Sequence, residues 1–405
     1  MIQQVVVVGS SLAGVRACGG LRAEGFDGDI TLIGAEPHLP YDRPPLSKKV
    51  LSGEWEPDRI ALVRPEELDS LRLQLRLGTP ATGLSTTDRL VTLRDGSAVP
   101  YDALVIATGA ATRRLPNQLE HDSIFELRTL DDSLALRSRI DAGGLRVTII
   151  GAGFIGLEVA ATARLLGNDV VVLEGAAAPL VRGLGGEMGL AVTQLHADHG
   201  VAIRCGVQVL GIEPAGSGLV VRLGDGDSVV SDLIVVGIGV SPTTQWLEGS
   251  GLTLRDGVVC DATLNAGVPG VYAAGDIARW PNAQFDGEEM RVEHWTNASE
   301  QGLAVARNLV AVGRGDQPVA YSSVPFFWSE QYGTRIQFIG RAAGDDDVRV
   351  VKGGVSERSF LALYGSKGRL RGALGVAMAK PVMQCRKLLL ENMSFDDAIE
   401  AAAAF

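Results

Sequence analysis

The stretch Val147-Thr-Ile-Ile-Gly151-Ala-Gly153-Phe-Ile-Gly156 decides the fold of this chain. An apolar strand runs into three glycines spaced as GxGxxG, and a helical pattern follows. The first glycine permits a tight turn, the second lets the backbone approach a pyrophosphate, and the third lets helix and strand pack closely. Glu174 ends the next apolar strand, where a carboxylate accepts hydrogen bonds from ribose hydroxyls. The stretch therefore predicts a dinucleotide-binding domain.

A second copy of this pattern opens the chain. Val5-Val-Val-Val-Gly9-Ser-Ser-Leu-Ala-Gly14 is again a strand with a glycine loop, and Glu36 follows the next strand. Ser11 replaces the middle glycine, so this loop departs from the fingerprint. A serine is tolerated if its side chain turns away and its N–H still faces a phosphate. Glu36 is expected to accept hydrogen bonds from an adenosine ribose, although a solvated strand end is the simpler interpretation.

Continuous apolar strands are typical of parallel sheets that are covered on both faces. The two copies therefore predict an α/β chain with two Rossmann-like dinucleotide-binding domains. From Pro325 onward the pattern changes to aromatic and amphipathic strands, and the alanine-rich tail 395–405 is predicted to be helical. This part predicts an α+β C-terminal domain.

A length of 405 residues is too great for one compact core and favours two or three domains. Polar loop sequence begins near residue 113, and a turn at Ser241-Pro242 closes the second nucleotide-binding fold. The first dinucleotide domain is predicted to be discontinuous, at 1–112 and 245–320. The second is predicted at 113–244 and the C-terminal domain at 321–405.

The net charge of −11 argues against general nucleic-acid binding, which needs cationic groups facing phosphates. The charge is unevenly distributed. Segment 349–387 carries a net +8, which leaves −19 on the rest of the chain. Its nine basic residues are Arg349, Lys352, Arg358, Lys367, Arg369, Arg371, Lys380, Arg386 and Lys387, against one acidic residue, Glu357.

The apolar runs are strand-sized and fall far short of the roughly 20 residues of a membrane helix, so no membrane association is expected. The N-terminus lacks the pattern of a secretory signal, which favours a cytoplasmic location. Four scattered cysteines do not have the spacing of a zinc site or a redox pair. No metal site is expected, and His196 and His199 are interpreted as a solvated helix face.

Seven segments together make the chain resemble the ferredoxin and rubredoxin reductases of oxygenase systems, the putidaredoxin reductase-like flavoproteins. The resemblance spans essentially the whole chain. The segments are Pro40-Tyr-Asp-Arg-Pro-Pro-Leu-Ser-Lys48, Val105-Ile-Ala-Thr-Gly109, Gly151 through Glu158, Gly237-Ile-Gly239, Val271-Tyr-Ala-Ala-Gly-Asp276, Glu293-His-Trp295 and Pro325-Phe-Phe-Trp-Ser-Glu-Gln331. The resemblance implies that FAD occupies the first dinucleotide site and NADH the second.

The resemblance also implies contacts with the flavin. Arg43 and Lys48 are expected to approach it, with Lys48 near the N5 edge, where a cation stabilises reduced, anionic flavin. The chain is expected to cross near FAD at Thr108-Gly109. Gly275-Asp276 is expected to face the ribityl chain and the pyrophosphate. Asp276 is alternatively a plain helix N-cap.

Four residues are the candidate catalytic groups: Lys48, Glu158, Trp295 and Trp328. Glu158 is expected beside the nicotinamide, although a carboxylate in the first turn of a helix is also explained by the helix dipole. Trp295 and Trp328 are expected near the flavin or toward an acceptor, with core packing as the alternative. The Gly237-Ile-Gly239 turn joins the expected NADH site.

The implied activity is hydride transfer from NADH to flavin N5, followed by single-electron transfer to an iron-sulfur ferredoxin, of [2Fe–2S] type, that serves an oxygenase. The stretch 38–48 contains no cysteine, so the disulfide chemistry of related folds is not expected. Two alternatives stay open. One is an NADH-dependent reductase of rubredoxin, quinones or other small acceptors, and the other is a redox-sensing flavoprotein whose role is interaction.

Overall fold

The computed structural model describes residues 2–216 and 218–405. The chain forms two compact units, each assembled from three separate segments. The first unit contains the chain up to Asp42, Ile60–Ala111 and Ser241–Pro325. The second contains Arg43–Arg59, Thr112–Val240 and Phe326–Phe405. The chain passes from the first unit to the second within the short strand β8 (Ala110–Thr112). It returns to the first unit within the short strand β17 (Val240–Pro242).

A five-stranded parallel sheet is the centre of the first unit. Its middle strand is almost entirely β-branched valine, and both faces of the strand are buried, so an apolar run without alternation is what the position requires. The order along the sheet is β19-β7-β1-β2-β3. The strands are β1 (Gln4–Val8), β2 (Asp29–Ile33), β3 (Leu73–Arg76), β7 (Ala103–Ile106) and β19 (Val271–Ala273).

Helices α1 (Leu12–Ala23) and α6 (Trp295–Arg314) of the first unit pack closely against each other. Glycine makes the approach possible, because a Cβ on Gly302 would lie 2.4 Å from the carbonyl oxygen of Ala13. Helix α2 (Pro65–Ser70) and two three-stranded sheets complete the unit. Those sheets contain β4 (Ala81–Ser85), β5 (Leu90–Leu93) and β6 (Ala98–Pro100), and β18 (Val258–Val259), β20 (Ala278–Asn282) and β21 (Glu288–Arg291).

The second unit contains the same parallel sheet again, in the order β12-β11-β10-β16-β9. Its strands are β9 (Ile124–Phe125), β10 (Arg146–Ile150), β11 (Asp169–Glu174), β12 (Ala202–Cys205) and β16 (Leu233–Val236). Its helices are α3 (Leu130–Ile140), α4 (Phe154–Leu165) and α5 (Val181–Asp198). A three-stranded sheet follows, with β13 (Val209–Ala215), β14 (Gly218–Leu223) and β15 (Ser228–Ser231).

The C-terminal part of the second unit is an antiparallel sheet in the order β22-β23-β26-β25-β24, with two helices. The elements are β22 (Phe326–Gln331), β23 (Thr334–Gly340), β24 (Asp347–Gly354), β25 (Ser359–Ser366), β26 (Arg369–Val376), α7 (Ala379–Leu390) and α8 (Phe395–Ala403). Short 3-10 turns occur at Pro44–Ser47, Pro57–Ile60, Gln245–Leu247, Gly275–Ile277, Ala283–Phe285 and Val355–Glu357.

The predicted fold class is confirmed: two Rossmann-like parallel sheets and an α+β C-terminal part are present. The predicted C-terminal helix is also confirmed by α8. The predicted limits of the three domains stay a prediction. Within residues 2–216 and 218–405, no helix combines the length and apolarity that a membrane span requires.

Candidate functional site

In the first unit, the carboxyl end of β1 is a glycine loop pressed against the end of β7. Gly9 has a φ of +123°, and a Cβ there would lie 2.1 Å from the carbonyl oxygen of Ala107. Gly14 lies in the first turn of α1, where a Cβ would lie 1.9 Å from the Gly9 oxygen. Neither position can hold a side chain, so helix and strand meet as the fingerprint requires.

Ser11 is the N-cap of α1 and has an extended backbone. In the described structure its side chain makes no capping hydrogen bond, so the hydroxyl does not block the free N–H groups of the helix. Gly153 has the equivalent position at α4, also extended. Ser11 therefore preserves the geometry of the middle glycine despite the change of residue.

Three further predicted residues lie at the same edge of the first sheet. Glu36 follows β2 and accepts a hydrogen bond from the hydroxyl of Tyr41. Thr108 follows β7, and its hydroxyl donates to the carbonyl of Thr243 at 3.1 Å. Gly109 is left-handed, with a φ of +64°. The carboxyl ends of parallel strands share one edge, so these residues surround the glycine loop.

The Gly275-Asp276 turn follows β19 at this edge. Gly275 has a φ of +80°, its N–H donates to Gln301 Oε1 at 2.8 Å, and a Cβ on it would lie 3.0 Å from the Cβ of Ala13. Gln301 is buried, and its Nε2 has no partner among the described residues. A buried donor beside the α1 loop fits a bound group with acceptor oxygens.

The alternative interpretation of Asp276 as a helix N-cap is wrong. Asp276 lies inside a single 3-10 turn that leads into strand β20. Helix α6 begins later, at Trp295, and its N-cap is His294. The Trp295 indole N–H donates to Asp42 Oδ1 at 2.7 Å, which fixes the half-buried ring.

In the second unit the full GxGxxG loop has the same arrangement. A Cβ on Gly151 would lie 2.3 Å from the Gly237 oxygen, and one on Gly156 would lie 2.2 Å from the Gly151 oxygen. Gly153 is different, because no other part of the described chain comes within 4 Å of its Cβ position. The space beside the N-terminus of α4 is therefore open, as a pyrophosphate requires.

Glu174 faces this loop. Its Oε2 accepts from the Ala152 N–H at 2.7 Å, and its Oε1 accepts from the Ala176 N–H at 2.8 Å. Each oxygen keeps a second lone pair for a ribose hydroxyl. Arg182 lies elsewhere on the edge: its Nη1 is 3.8 Å from the Cβ position of Gly239, which has a φ of +104°.

Lys48 and Glu158 form an ion pair in the second unit, with Lys48 Nζ 2.6 Å from Glu158 Oε2. The Ser47 hydroxyl donates to the same oxygen at 2.5 Å. The Ser329 hydroxyl, from β22, donates to Glu158 Oε1 at 2.7 Å. Only 6% of the Glu158 side chain is exposed, so three donors compensate the burial of this carboxylate. Ser47 and Ser329 were not predicted.

Hydrogen bonds between side chains and backbone carbonyls hold the segment that contains Lys48 in place. Ser133 of α3 donates to the Leu46 carbonyl at 2.7 Å, and Thr162 of α4 donates to the Ser47 carbonyl at 2.8 Å. Arg43 Nη1 donates to the Arg128 carbonyl at 2.5 Å. Arg43 and Lys48 therefore belong to the second unit together with Glu158.

The interpretation of His196 as part of a solvated face is wrong. His196 is fully buried, and its Nε2 lies 2.9 Å from Gln331 Oε1. Burial lowers the pKa of His196 to about 4, so the ring is neutral at physiological pH. His199, one turn later, is exposed as expected. Trp328 lies half-buried on β22, with its ring stacked on Phe326.

All four cysteines are free thiols within the part of the chain that the structure describes. Burial raises the pKa of the thiols of Cys18, Cys260 and Cys385 to about 12, so these thiols are unreactive. Among residues 2–216 and 218–405, no cluster of three or more His, Cys, Asp or Glu side chains could hold a metal ion.

Two family descriptions match this architecture. Residues 3–302 match the pyridine nucleotide-disulphide oxidoreductases, and residues 326–405 match the reductase C-terminal domain. The chain is therefore an oxidoreductase with two dinucleotide sites. The residues present fit bound nucleotides: the space at Gly153 is open, and the buried Gln301 Nε2, near the glycine loop that leads into α1, has no partner among the described residues.

Similar proteins show which group of oxidoreductases this chain belongs to. Rhodocoxin reductase of Rhodococcus erythropolis is 37% identical, with 96% of this chain and 90% of the relative covered. Putidaredoxin reductase of Pseudomonas putida is 35% identical, with 89% and 85% covered. The crystal structure of the covalent putidaredoxin reductase-putidaredoxin complex contains a chain with a TM-score of 0.91 and 31% identity, with 99% of both chains covered. The chain belongs to the NAD-dependent ferredoxin reductases of oxygenase systems, FAD-containing oxidoreductases.

Proposed function

We propose that this chain transfers electrons from NADH, through FAD, to a small [2Fe–2S] ferredoxin that serves an oxygenase. One observation supports this most strongly: each unit contains a glycine loop between a parallel strand and a helix, and the second unit adds the buried Lys48–Glu158 pair. Bound FAD supplies the conversion between two-electron and one-electron chemistry. The four free cysteines suit the reducing cytoplasm, where we place the enzyme.

The protein's own residues bind and orient the two nucleotides. We assign FAD binding to Gly9, Ser11, Gly14, Glu36, Arg43, Lys48, Thr108, Gly109, Gly275, Asp276 and Trp295. We assign NADH binding to Gly151, Gly153, Gly156, Glu158, Glu174, Gly237 and Gly239. Free N–H groups at the start of α1 and α4 would receive the two pyrophosphates.

The Lys48–Glu158 pair is proposed to act at the reacting rings. A lysine ammonium near the flavin would stabilise developing negative charge, and the carboxylate would orient the nicotinamide. Glu158 of this pair accepts from donors on two separate segments, 47–48 and β22, so its carboxylate is not free to rotate away. Trp295 and Trp328 are proposed to lie along the route to the acceptor.

The test is NADH-driven cytochrome c reduction with purified iron-sulfur proteins added one at a time. We expect a rate that is near background without an iron-sulfur protein and that rises with one [2Fe–2S] ferredoxin. Rubredoxin and a soluble quinone serve as parallel acceptors. Faster turnover with either of them than with every ferredoxin would replace the proposed acceptor, and no turnover with any acceptor would contradict an electron-transfer role.

A further inference from the structure

Strand β22 presents a row of polar side chains to the interior of the second unit. Side chains alternate along a strand, so Phe327, Ser329 and Gln331 share one face. Phe327 packs on Phe154 of α4, with ring centroids 4.7 Å apart. The two polar residues of this face therefore point into the same buried layer.

These residues form a continuous chain of hydrogen bonds. Ser329 Oγ lies 2.7 Å from Glu158 Oε1, Gln331 Nε2 lies 3.1 Å from Ser329 Oγ, and His196 Nε2 lies 2.9 Å from Gln331 Oε1. Tyr332 OH lies 3.2 Å from His196 Nδ1. Ser329 and His196 are 0% exposed and Gln331 is 1% exposed. We call Ser329, Gln331 and His196 the inner polar row.

The charge on Glu158 fixes the direction of every bond in this row. A carboxylate paired with a lysine only accepts, so the Ser329 hydroxyl must donate to it. The Ser329 oxygen then accepts from the Gln331 amide N–H, and Gln331 Oε1 accepts from His196 Nε2–H. His196 Nδ1 is left as the acceptor of the Tyr332 hydroxyl. Four donors in sequence therefore point toward one carboxylate.

We propose that the inner polar row positions Glu158 and keeps its carboxylate oriented toward Lys48. Lys48 and Ser47 both donate to Oε2, whereas Ser329 donates to Oε1, so the bond from Ser329 fixes the rotation of the carboxylate. The inference rests on the proposed function, because the work of Glu158 at the nicotinamide belongs to that function.

The titratable groups around the row are few. Lys48 faces Glu158 from the 44–48 segment. His199 of α5 stacks on Tyr332, with ring centroids 3.8 Å apart, and its charge acts on His196. Arg164 of α4 acts on Tyr332. Only Lys48 among these is bonded directly to Glu158, so removal of Ser329 Oγ leaves Lys48 and Ser47 as its donors.

Histidine NMR tests the row without any substitution. In holoenzyme labelled with ¹⁵N-histidine, through-bond correlation assigns His196 among the five histidines. We expect the Nε2–H tautomer, unchanged between about pH 5.5 and 8. An Nδ1–H tautomer would overturn the proposed direction of the row, whether or not the enzyme reduces a ferredoxin.

The second test is single-turnover flavin reduction by NADH at varied NADH concentration. Ser329→Ala leaves Oε1 without its donor, so the limiting rate should fall about tenfold while the apparent Kd for NADH stays near wild type. Ser329→Thr keeps the hydroxyl and should restore the rate. Ser359→Ala, on β25 of the same sheet, is the matched control and should leave it unchanged.

Three results separate this inference from the proposed function. An unchanged limiting rate in Ser329→Ala, in an enzyme that still reduces ferredoxin, would overturn the positioning role alone. An equal fall in the rate of Ser329→Thr would also overturn it, because the hydroxyl would then be irrelevant. Wild-type protein that bleaches with NADH but reduces no ferredoxin would overturn the proposed function and leave this test intact.

Discussion

Glu174 is the residue that we propose determines the choice between NADH and NADPH. Its carboxylate is held by the N–H groups of Ala152 and Ala176, so its position relative to the glycine loop is fixed. A negative charge at the end of β11 accepts ribose hydroxyls and repels a 2′-phosphate. Arg182, a candidate to compensate, has its Nη1 3.8 Å from the Cβ position of Gly239, which follows a different strand.

We therefore predict that the enzyme prefers NADH over NADPH by roughly two to three orders of magnitude in kcat/KM, about 3 to 4 kcal/mol. Glu174→Ala should reduce this preference to within about tenfold, mainly by slowing the reaction with NADH. The measurement is ferricyanide reduction at varied nucleotide concentration. Asp169→Asn, at the opposite end of β11, is the control. An unchanged preference in Glu174→Ala would mean that another group recognises the ribose.

At the scale of the element, Gly153 and Gly156, two of the three glycines of the GxGxxG loop, give a prediction because their surroundings differ. Gly156→Ala places a Cβ against the Gly151 backbone and should destabilise the protein by about 1 to 3 kcal/mol. Gly153→Ala meets open space and should leave thermal stability near wild type while raising the KM for NADH. Thermal unfolding and steady-state kinetics on both variants check this. Equal losses of stability would contradict the distinction.

The same geometry at α1 predicts flavin retention. Purified wild-type protein should contain about one non-covalent FAD per chain. Gly14→Val must separate α1 from β1, because the Cβ position overlaps the Gly9 oxygen, so this variant should lose most of its flavin. Gly19→Ala in the same helix, with open space around its Cβ position in the described structure, is the control. Flavin absorbance after gel filtration measures the outcome.

Local patterns predicted the elements, because strand length, glycine spacing and apolar runs are properties of neighbouring residues. The burial of His196 is predictable from the sequence of α5. Met188, Val192 and Leu195 define the buried face of this helix, and His196 lies on that face at the same helical spacing. Ser329 and Gln331 alternate on β22, which indicates a shared face but not what that face meets. The Lys48–Glu158 pair joins residues 110 positions apart, and no local pattern encodes it.

At the scale of the whole molecule, the basic segment 349–387 is partly neutralised. Arg349, Arg358 and Lys387 pair with Asp347, Asp198 and Glu391, which all lie outside the segment. Arg369 and Arg371 are two residues apart on β26, on either side of buried Leu370, and the pairing of β25 with β26 is irregular at Arg371. The face that receives the acceptor stays a prediction, which Arg369 and Arg371 are chosen to test.

Reversal of both arginines to Glu should raise the ferredoxin KM by roughly tenfold and flatten its dependence on salt, because an acidic partner would lose its steering charge. Ferricyanide reduction, which needs only the flavin, should stay near wild type. Arg255→Glu, on the first unit and already paired with Glu289, is the control. A parallel fall in both activities would indicate damage to the fold, and no change in either would place docking on another face.

The most direct test of the account is anaerobic stopped-flow spectroscopy of the purified protein. NADH should bleach the flavin absorbance within the time of one turnover, and oxidised [2Fe–2S] ferredoxin added next should restore the absorbance as it is reduced. Bleaching by NADH followed by reoxidation only when ferredoxin is present is the predicted result. Flavin that NADH does not bleach, or reduced flavin that no ferredoxin reoxidises, would contradict the central claim.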